Sequence, residues 1–182
     1  MRSVRIAVIS DTHMPRKGFA LPPACLERLS AADLIVHAGD WSSIEAVAMV
    51  RGIGPPVVGV RGNVEEAAVR AALPATAEAE AGGVRIGVVH DGGPGAGRLG
   101  RLRRRFPAAD AVVFGHSHIP WHEAADGFQV VNPGSPTDRR RSPRHTMAEL
   151  EVEGGRVAAV SFWAVDDPSG PLAPDLVHPG PR

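Results

Sequence analysis

Cysteine is almost missing from this 182-residue chain. Cys25 is the single thiol, so no disulfide can form within the chain, and one thiol fits a reducing compartment. Net charge is missing as well: 20 basic residues face 20 acidic ones. That balance makes no case for nucleic acid or an anionic membrane as a partner. Lysine is nearly absent, since nineteen of the basic residues are arginine, which reads as genome composition. No apolar run approaches the roughly 20 residues that a membrane helix needs. The first strand follows Met1 and Arg2 too closely, and is too short, for a signal peptide. Nothing reads as a platform for stacking bases. The chain is expected to be cytoplasmic and free of the membrane; whether it forms a homo-oligomer is left open.

What the chain does have is a series of short β-branched strands that end in polar residues. Val4–Ile9 is a strand that runs into Ser10-Asp11-Thr12-His13. Residues 14–23, with Pro15, Gly18, Pro22 and Pro23, form a loop. A short helix is expected over 24–32, then a strand over 33–38 followed by Gly39-Asp40. Ser42 and Ser43 can cap a helix over 44–50, with Glu45 suited to its dipole. A third strand over 57–60 leads to Arg61-Gly62-Asn63, and a helix over 65–72 ends before Pro74. Segments 75–80 and 84–89 flank Gly82-Gly83 as a hairpin, and the second ends in His90-Asp91. A helix over 98–106 precedes a strand over 110–114, which runs into Gly115-His116-Ser117-His118. Two more hairpins turn at Asp126-Gly127 and at Gly154-Gly155. Residues 1–165 read as one domain and 166–182 as a proline-rich tail, irregular or loosely docked. The early strand–helix alternation argues for parallel pairing and the later hairpins for antiparallel pairing. The economical fold is a mixed α/β sandwich of two sheets with helices outside.

The strand ends carry the chemistry. Taken in order they end in Asp-x-His, Gly-Asp, Gly-Asn, His and Gly-His-x-His. In open α/β sheets ligands sit beyond the carboxyl ends of strands, so strands lying side by side would bring these tips together. The side chains are Asp11, His13, Asp40, Asn63, His90, His116 and His118. Gly39, Gly62 and Gly115 allow sharp turns and keep side chains out of the site. A single strand-end Asp or His is more often a cap or turn former than a ligand; five in succession are much harder to assign to chance. Two carboxylates, an amide oxygen and four imidazoles exceed the needs of one ion but suit two ions sharing a ligand. Mixed N/O ligation favours Mn, Fe, Co, Ni or Zn over Ca. Two ions about 3.5–4 Å apart can hold a bridging hydroxide and clamp phosphoryl oxygens.

This ordered pattern resembles the signature of the calcineurin-like metallophosphoesterases. His37-Ala38-Gly39-Asp40 and the stretch Asn132 to Asp138 resemble the superfamily's small phosphodiesterase branch, and the likeness spans about residues 4–165. The resemblance implies a four-layer α/β/β/α sandwich of two mixed β-sheets flanked by helices, with two divalent metal ions, Mn first among Mn, Fe, Ni, Co and Zn. Carried over by position, Asp11, His13, Asp40 and His118 hold one ion. Asp40 bridges to a second, completed by Asn63, His90 and His116. Asp40, Asn63, His90 and His116 are the expected catalytic set, and a hydroxide spanning the ions attacks phosphorus in line with the leaving oxygen. Many family members have His after the Gly-Asn asparagine; here it is Val64, with Glu65 where the branch usually has Asp. Without a general acid, activated phosphodiesters are the expected substrates, ahead of phosphomonoesters. A phosphomonoesterase on a small metabolite is the second reading. A non-catalytic protein-binding scaffold, as in the family's retromer subunit, is the third.

Several residues carry two readings. Asp91, where the family usually has Gly, is a solvated loop residue or orients an imidazole. His37 is a buried hydrogen-bonded histidine or holds a ligand from behind. Asn132 and Ser135 are expected to support the site loops. His122 is expected to be structural, and His145 and His178 to lie in loops. The arginines from Arg98 to Arg105 read as a solvated helix face. For Arg139 to Arg141, phosphate recognition and a mobile loop weigh equally.

Overall fold

Two sheets pack face to face, and their central strands are buried on both sides while the edge strands are half-exposed. The computed structural model describes residues 3–15 and 18–180. Met1, Arg2, Arg16, Lys17, Pro181 and Arg182 lie outside the described residues, and with them the approach to the first strand, two positions of the expected 14–23 loop and the end of the expected tail. The strands are β1 (Val4–Ile9), β2 (Leu34–His37), β3 (Val57–Gly59), β4 (Thr76–Ala81), β5 (Val84–Val89) and β6 (Ala111–Val113). They continue with β7 (Trp121–Ala125), β8 (Phe128–Asn132), β9 (Thr146–Glu153), β10 (Arg156–Ala164) and β11 (Gly170–Pro171). The helices are α1 (Pro23–Ser30), α2 (Ile44–Arg51), α3 (Ala67–Ala72) and α4 (Arg98–Arg105).

The first sheet has the order β11-β10-β9-β1-β2-β3 and the second β4-β5-β6-β8-β7. In β1, Ile6 and Val8 join the cluster between the sheets, whereas Ala7 and Ile9 join the cluster with α1 and α2. That period-2 split is what a strand covered on both faces requires. Across the second sheet, Ile86, Val88 and Val113 face inward, while Val112 and Val130 pack with Leu102 of α4 and with Phe106 just beyond it. Each fully buried aliphatic of this kind contributes about 1.5–3 kcal/mol of transfer free energy. The result is the expected four-layer α/β/β/α sandwich. Cys25 sits in the layer of α1, and burial pushes its thiol up to about 12, so it acts as a small apolar packing group.

The five polar strand ends do not come from adjacent strands of one sheet. β1, β2 and β3 run parallel in the first sheet, and β5 and β6 run parallel in the second. Their carboxyl ends meet because the two sheets stack with those ends on one edge of the sandwich. Parallel pairing also extends to β6 and β8, which the hairpin pattern of the later half concealed.

The segment after residue 165 is held more tightly than its proline content implies. β11 pairs with β10, His178 accepts from His122 N–H at 2.9 Å, and the His178 ring stacks on Trp121 at 4.0 Å. The prolines rule out a long strand but not these few bonds.

Candidate metal centre

The loops after β1 and β2 run as a continuation of their ladder. Asp11, His13 and Met14 donate N–H groups to the carbonyls of Gly39, Asp40 and Trp41 at 2.9–3.0 Å. Gly115 N–H likewise donates to the His90 carbonyl at 2.8 Å. Side chains in these loops are aimed by left-handed backbone. Asp11, His13, Asp40, His116 and His118 all have φ between 47° and 71°. That conformation is unfavourable for residues with a Cβ and persists only where surrounding contacts impose it.

Gly62 and Gly115 serve by their lack of a side chain rather than by positive φ. A Cβ at Gly62 would collide with Asp40 Oδ1, and one at Gly115 with Ser10 Oγ. Gly39, with φ of +96°, does make the sharp turn expected of all three.

The structure brings the seven sequence-predicted residues together in two groups. In the first, Asp11, His13 and His118 place donor atoms within 4.8 Å of one another, all buried. In the second, Asp40, His90 and His116 do the same, and His116 is exposed. Asp40 Oδ2 lies between the groups, 3.7 Å from His13 Nε2 and 3.3 Å from His90 Nε2. Asn63 Oδ1 lies 2.9 Å from His90 Nε2 and 3.1 Å from His116 Nδ1. One end of the site is sealed, and the other opens to solvent.

Backbone carbonyls assign the ring protons. His90 Nδ1 donates to the Ala38 carbonyl at 2.7 Å, and His118 Nδ1 donates to the Asp138 carbonyl. In the neutral rings Nε2 is then a bare lone pair. His118 Nε2 points at Asp11 Oδ1 from 3.4 Å and at His13 Nε2 from 3.3 Å. His90 Nε2 points at carboxylate and amide oxygens. Acceptors facing acceptors repel unless a proton or cation sits between them. Separations of 3.3–3.7 Å match two donors sharing an ion at bond lengths of roughly 2.0–2.2 Å. The donor set therefore fits divalent ions of the N/O-binding type.

The titration directions agree. Burial pushes Asp11 up to about 7, only partly offset by His90 and the Ser10 hydroxyl. Burial also acts upward on Asp40, but the hydrogen bond and charge of His90 outweigh it and hold that carboxyl at about 2. Burial lowers His90, yet its bonds to Asp40 and the charge of Asp11 raise it overall. Burial lowers His118 to about 4. Asp11 and His90 thus move toward their protonated forms, while Asp40 stays a carboxylate and His118 a neutral ring.

Behind these residues lies a layer that the sequence disclosed only in part. His37 Nδ1 accepts from Gly39 N–H at 3.1 Å, so its Nε2 carries the proton and donates to Thr12 Oγ1 at 3.0 Å. It stacks on Trp41 at 3.4 Å and ties the Asp11–His13 loop to the Asp40 loop. Ser135 Oγ donates to the Asp11 carbonyl at 2.8 Å, and Asn132 Nδ2 donates to the Gly115 carbonyl at 2.8 Å. Glu65 was not foreseen in this role. Its buried carboxylate accepts from Trp41 and Gly62 N–H through Oε1, at 3.1 and 2.9 Å, and from Ser42 N–H through Oε2 at 2.8 Å. Its one sequence signal was its position two residues after Asn63.

Asp91 is an exposed turn former whose Oδ1 accepts from Gly93 N–H at 2.7 Å, and among the described residues it bonds to no imidazole. Arg98 departs from the solvated helix face expected for it. It is buried between Phe114 and Trp121, 4.5 and 4.3 Å from their ring centres, and donates to the Gly93 carbonyl. The apolar rings shelter its stem while the guanidinium holds the loop after His90. His122 is structural, bonded to Gln129 Oε1 at 2.8 Å.

His37 gives a pH prediction. Burial, then repulsion by His90, holds it well below 6.5. A depressed histidine binds fewer protons in the folded state, so its contribution is present above the unfolded pKa and is lost as pH falls. The stability advantage of the metal-free wild type over His37→Gln should be largest above about pH 6.5 and shrink on acidification. Urea midpoints at pH 7.5 and 5.0 measure it; a constant difference would refute it.

Comparison with known proteins extends over most of the chain. The profile of the calcineurin-like phosphoesterase superfamily domain matches residues 4–155. A probable metallophosphoesterase of Methanocaldococcus jannaschii is 34% identical over 151 residues, covering 81% of this chain and 76% of that one. Another, of Methanothermobacter thermautotrophicus, is 30% identical over 156 residues, covering 85% and 89%. Among solved structures, vacuolar protein sorting 29 of Cryptosporidium parvum superposes with a TM-score of 0.79 at 21% identity, covering 93% of this chain and 96% of that one.

Proposed function

We propose a function from one premise: the chain belongs to the calcineurin-like phosphoesterase superfamily. Membership and the two donor groups together support a metal-dependent phosphoester hydrolase. The finer reading is a phosphodiesterase with two ions, Mn first. The observation that carries it is Asp40 Oδ2 standing between the imidazoles of the two groups.

Asp11, His13 and His118 would hold one ion, Asn63, His90 and His116 the other, and Asp40 both. When bound, such ions supply an activated water as nucleophile and neutralise the phosphoryl oxygens. The chain's own residues do the rest. The Ala38 and Asp138 carbonyls keep the Nε2 lone pairs of His90 and His118 aimed inward. His116 and Asn63 face solvent, where a substrate enters. Val64 offers no proton to a leaving oxygen, so leaving groups must depart as anions. A hollow of about 260 Å³ is lined by Asn63, His90 and His116, and a second of about 520 Å³ by Ser42 and Val64 but by none of the seven donors.

With Mn added, bis(p-nitrophenyl) phosphate should be hydrolysed faster than p-nitrophenyl phosphate, and chelation should abolish both rates. A monoester rate well above the diester rate would establish the phosphomonoesterase instead. The scaffold reading rests on likeness of fold to vacuolar protein sorting 29, and it leaves seven converging donors without a purpose. Among the described residues no helix is long and apolar enough to cross a membrane. The single cysteine supports a cytoplasmic location.

A further inference from the structure

We propose that Arg61 and Arg105 form an anion subsite beside the second donor group, selecting phosphodiesters whose non-leaving arm bears a phosphate, phosphonate or carboxylate. This rests on the diesterase reading and adds the substrate class. The hollow of about 260 Å³ is lined by Asn63, His90 and His116 together with Arg61, Arg105 and Asp91. A phosphorus held at Asn63, His90 and His116 would share this hollow with two arginine side chains.

Both arginines have donors to spare. Arg61 gives one N–H to the Arg70 carbonyl at 3.3 Å. Among the described residues Arg105 forms neither a hydrogen bond nor an ion pair, unlike its neighbours Arg98, Arg101 and Arg103. It ends α4, where its charge also suits the helix dipole. The planar guanidinium fork matches a carboxylate or phosphoryl group, which fits arginine at both positions. Asp91 leaves the lining one positive charge in excess. The other hollow carries Glu65 and Glu66 against Arg70 alone, so an anionic arm is directed to the Arg105 side. The Arg105 hollow is smaller than ordinary ligand pockets of about 300–1,000 Å³. Its only rings are the imidazoles of His90 and His116. It takes a compact anionic arm and offers no stacking for a nucleobase.

The test compares ethyl p-nitrophenyl phosphate with 2-phosphonoethyl p-nitrophenyl phosphate on the Mn-loaded protein, since both release the same chromophore. The phosphonoethyl ester should have the lower KM. R105A should raise that KM about threefold, and R61A/R105A about tenfold, the scale of exposed ion pairs. The kinetics of the ethyl ester and both kcat values should stay unchanged. R105K should recover part of the loss and D91N should lower the KM further, while added salt should shrink the preference. Equal effects on both esters, or none on the phosphonoethyl ester, overturn the subsite alone. No hydrolysis of either ester by the wild type overturns the diesterase reading, and the subsite with it.

Discussion

Asp40→Asn should leave a folded protein that has lost its hydrolytic activity. The native carboxylate divides its work between its two oxygens. Oδ1 accepts N–H groups from Asn63 at 2.8 Å and Val64 at 3.2 Å, which sets the loop after β3. Oδ2 belongs to one donor group through His90 and faces His13 of the other. Asparagine keeps the first acceptor and puts an NH₂ in place of the second. That group can donate to an imidazole lone pair but cannot join two cations. Changes to residues behind a metal ligand cost roughly 10–100-fold in affinity or activity; removing the ligand proposed to serve both ions should exceed the upper end of that range. Elemental analysis should find fewer ions per chain, and kcat/KM for bis(p-nitrophenyl) phosphate should fall by at least about 100-fold. The melting transition should survive. Full activity in this variant, or in His116→Ala, would remove the site assignment and leave the family and fold standing.

Glu65→Ala should be the most destabilising change near the site that touches no candidate ligand. It strips the acceptor from three backbone amides, those of Trp41, Ser42 and Gly62. An unsatisfied buried donor costs about 1–3 kcal/mol. The hollow at Ser42 and Val64 admits water to part of the gap, so the sum belongs near the low end, about 3 kcal/mol. For a chain of this length that lowers the melting temperature by about 10 °C. These amides lie in the loops that carry Asp40 and Asn63, so the rate should fall together with the stability, by about tenfold or more. Glu65→Gln separates the two roles of the carboxylate. Its amide oxygen can replace Oε1, but its NH₂ then meets the N–H of Ser42. It should lie between wild type and alanine on both scales. A Glu65→Ala variant with unchanged melting would show that water alone satisfies the loops.

The elements were legible because each rests on local chemistry. The Gly82-Gly83, Asp126-Gly127 and Gly154-Gly155 turns all place two residues at positive φ, as two-residue hairpins demand. β-branched runs marked the strands, and strand ends in Asp, Asn and His marked seven candidate donors in chain order. Those signals need no knowledge of the partner strand. The Arg98 cluster misled for the opposite reason: on a helix wheel a buried guanidinium looks like a solvated one, and only Phe114 and Trp121, brought from other elements, distinguish them.

The sequence by itself determined the fold class, the family and the candidate donors, because periodicity, turn residues and ordered motifs are properties of neighbouring positions. Tertiary structure decided the division of those donors between two sheets, the sealed and open ends of the site, and the clamp by Glu65. It also decided which arginines are tied to backbone carbonyls, as Arg98 and Arg101 are. Each of these depends on distances between residues far apart in the chain, and those distances are set by packing the two sheets against each other.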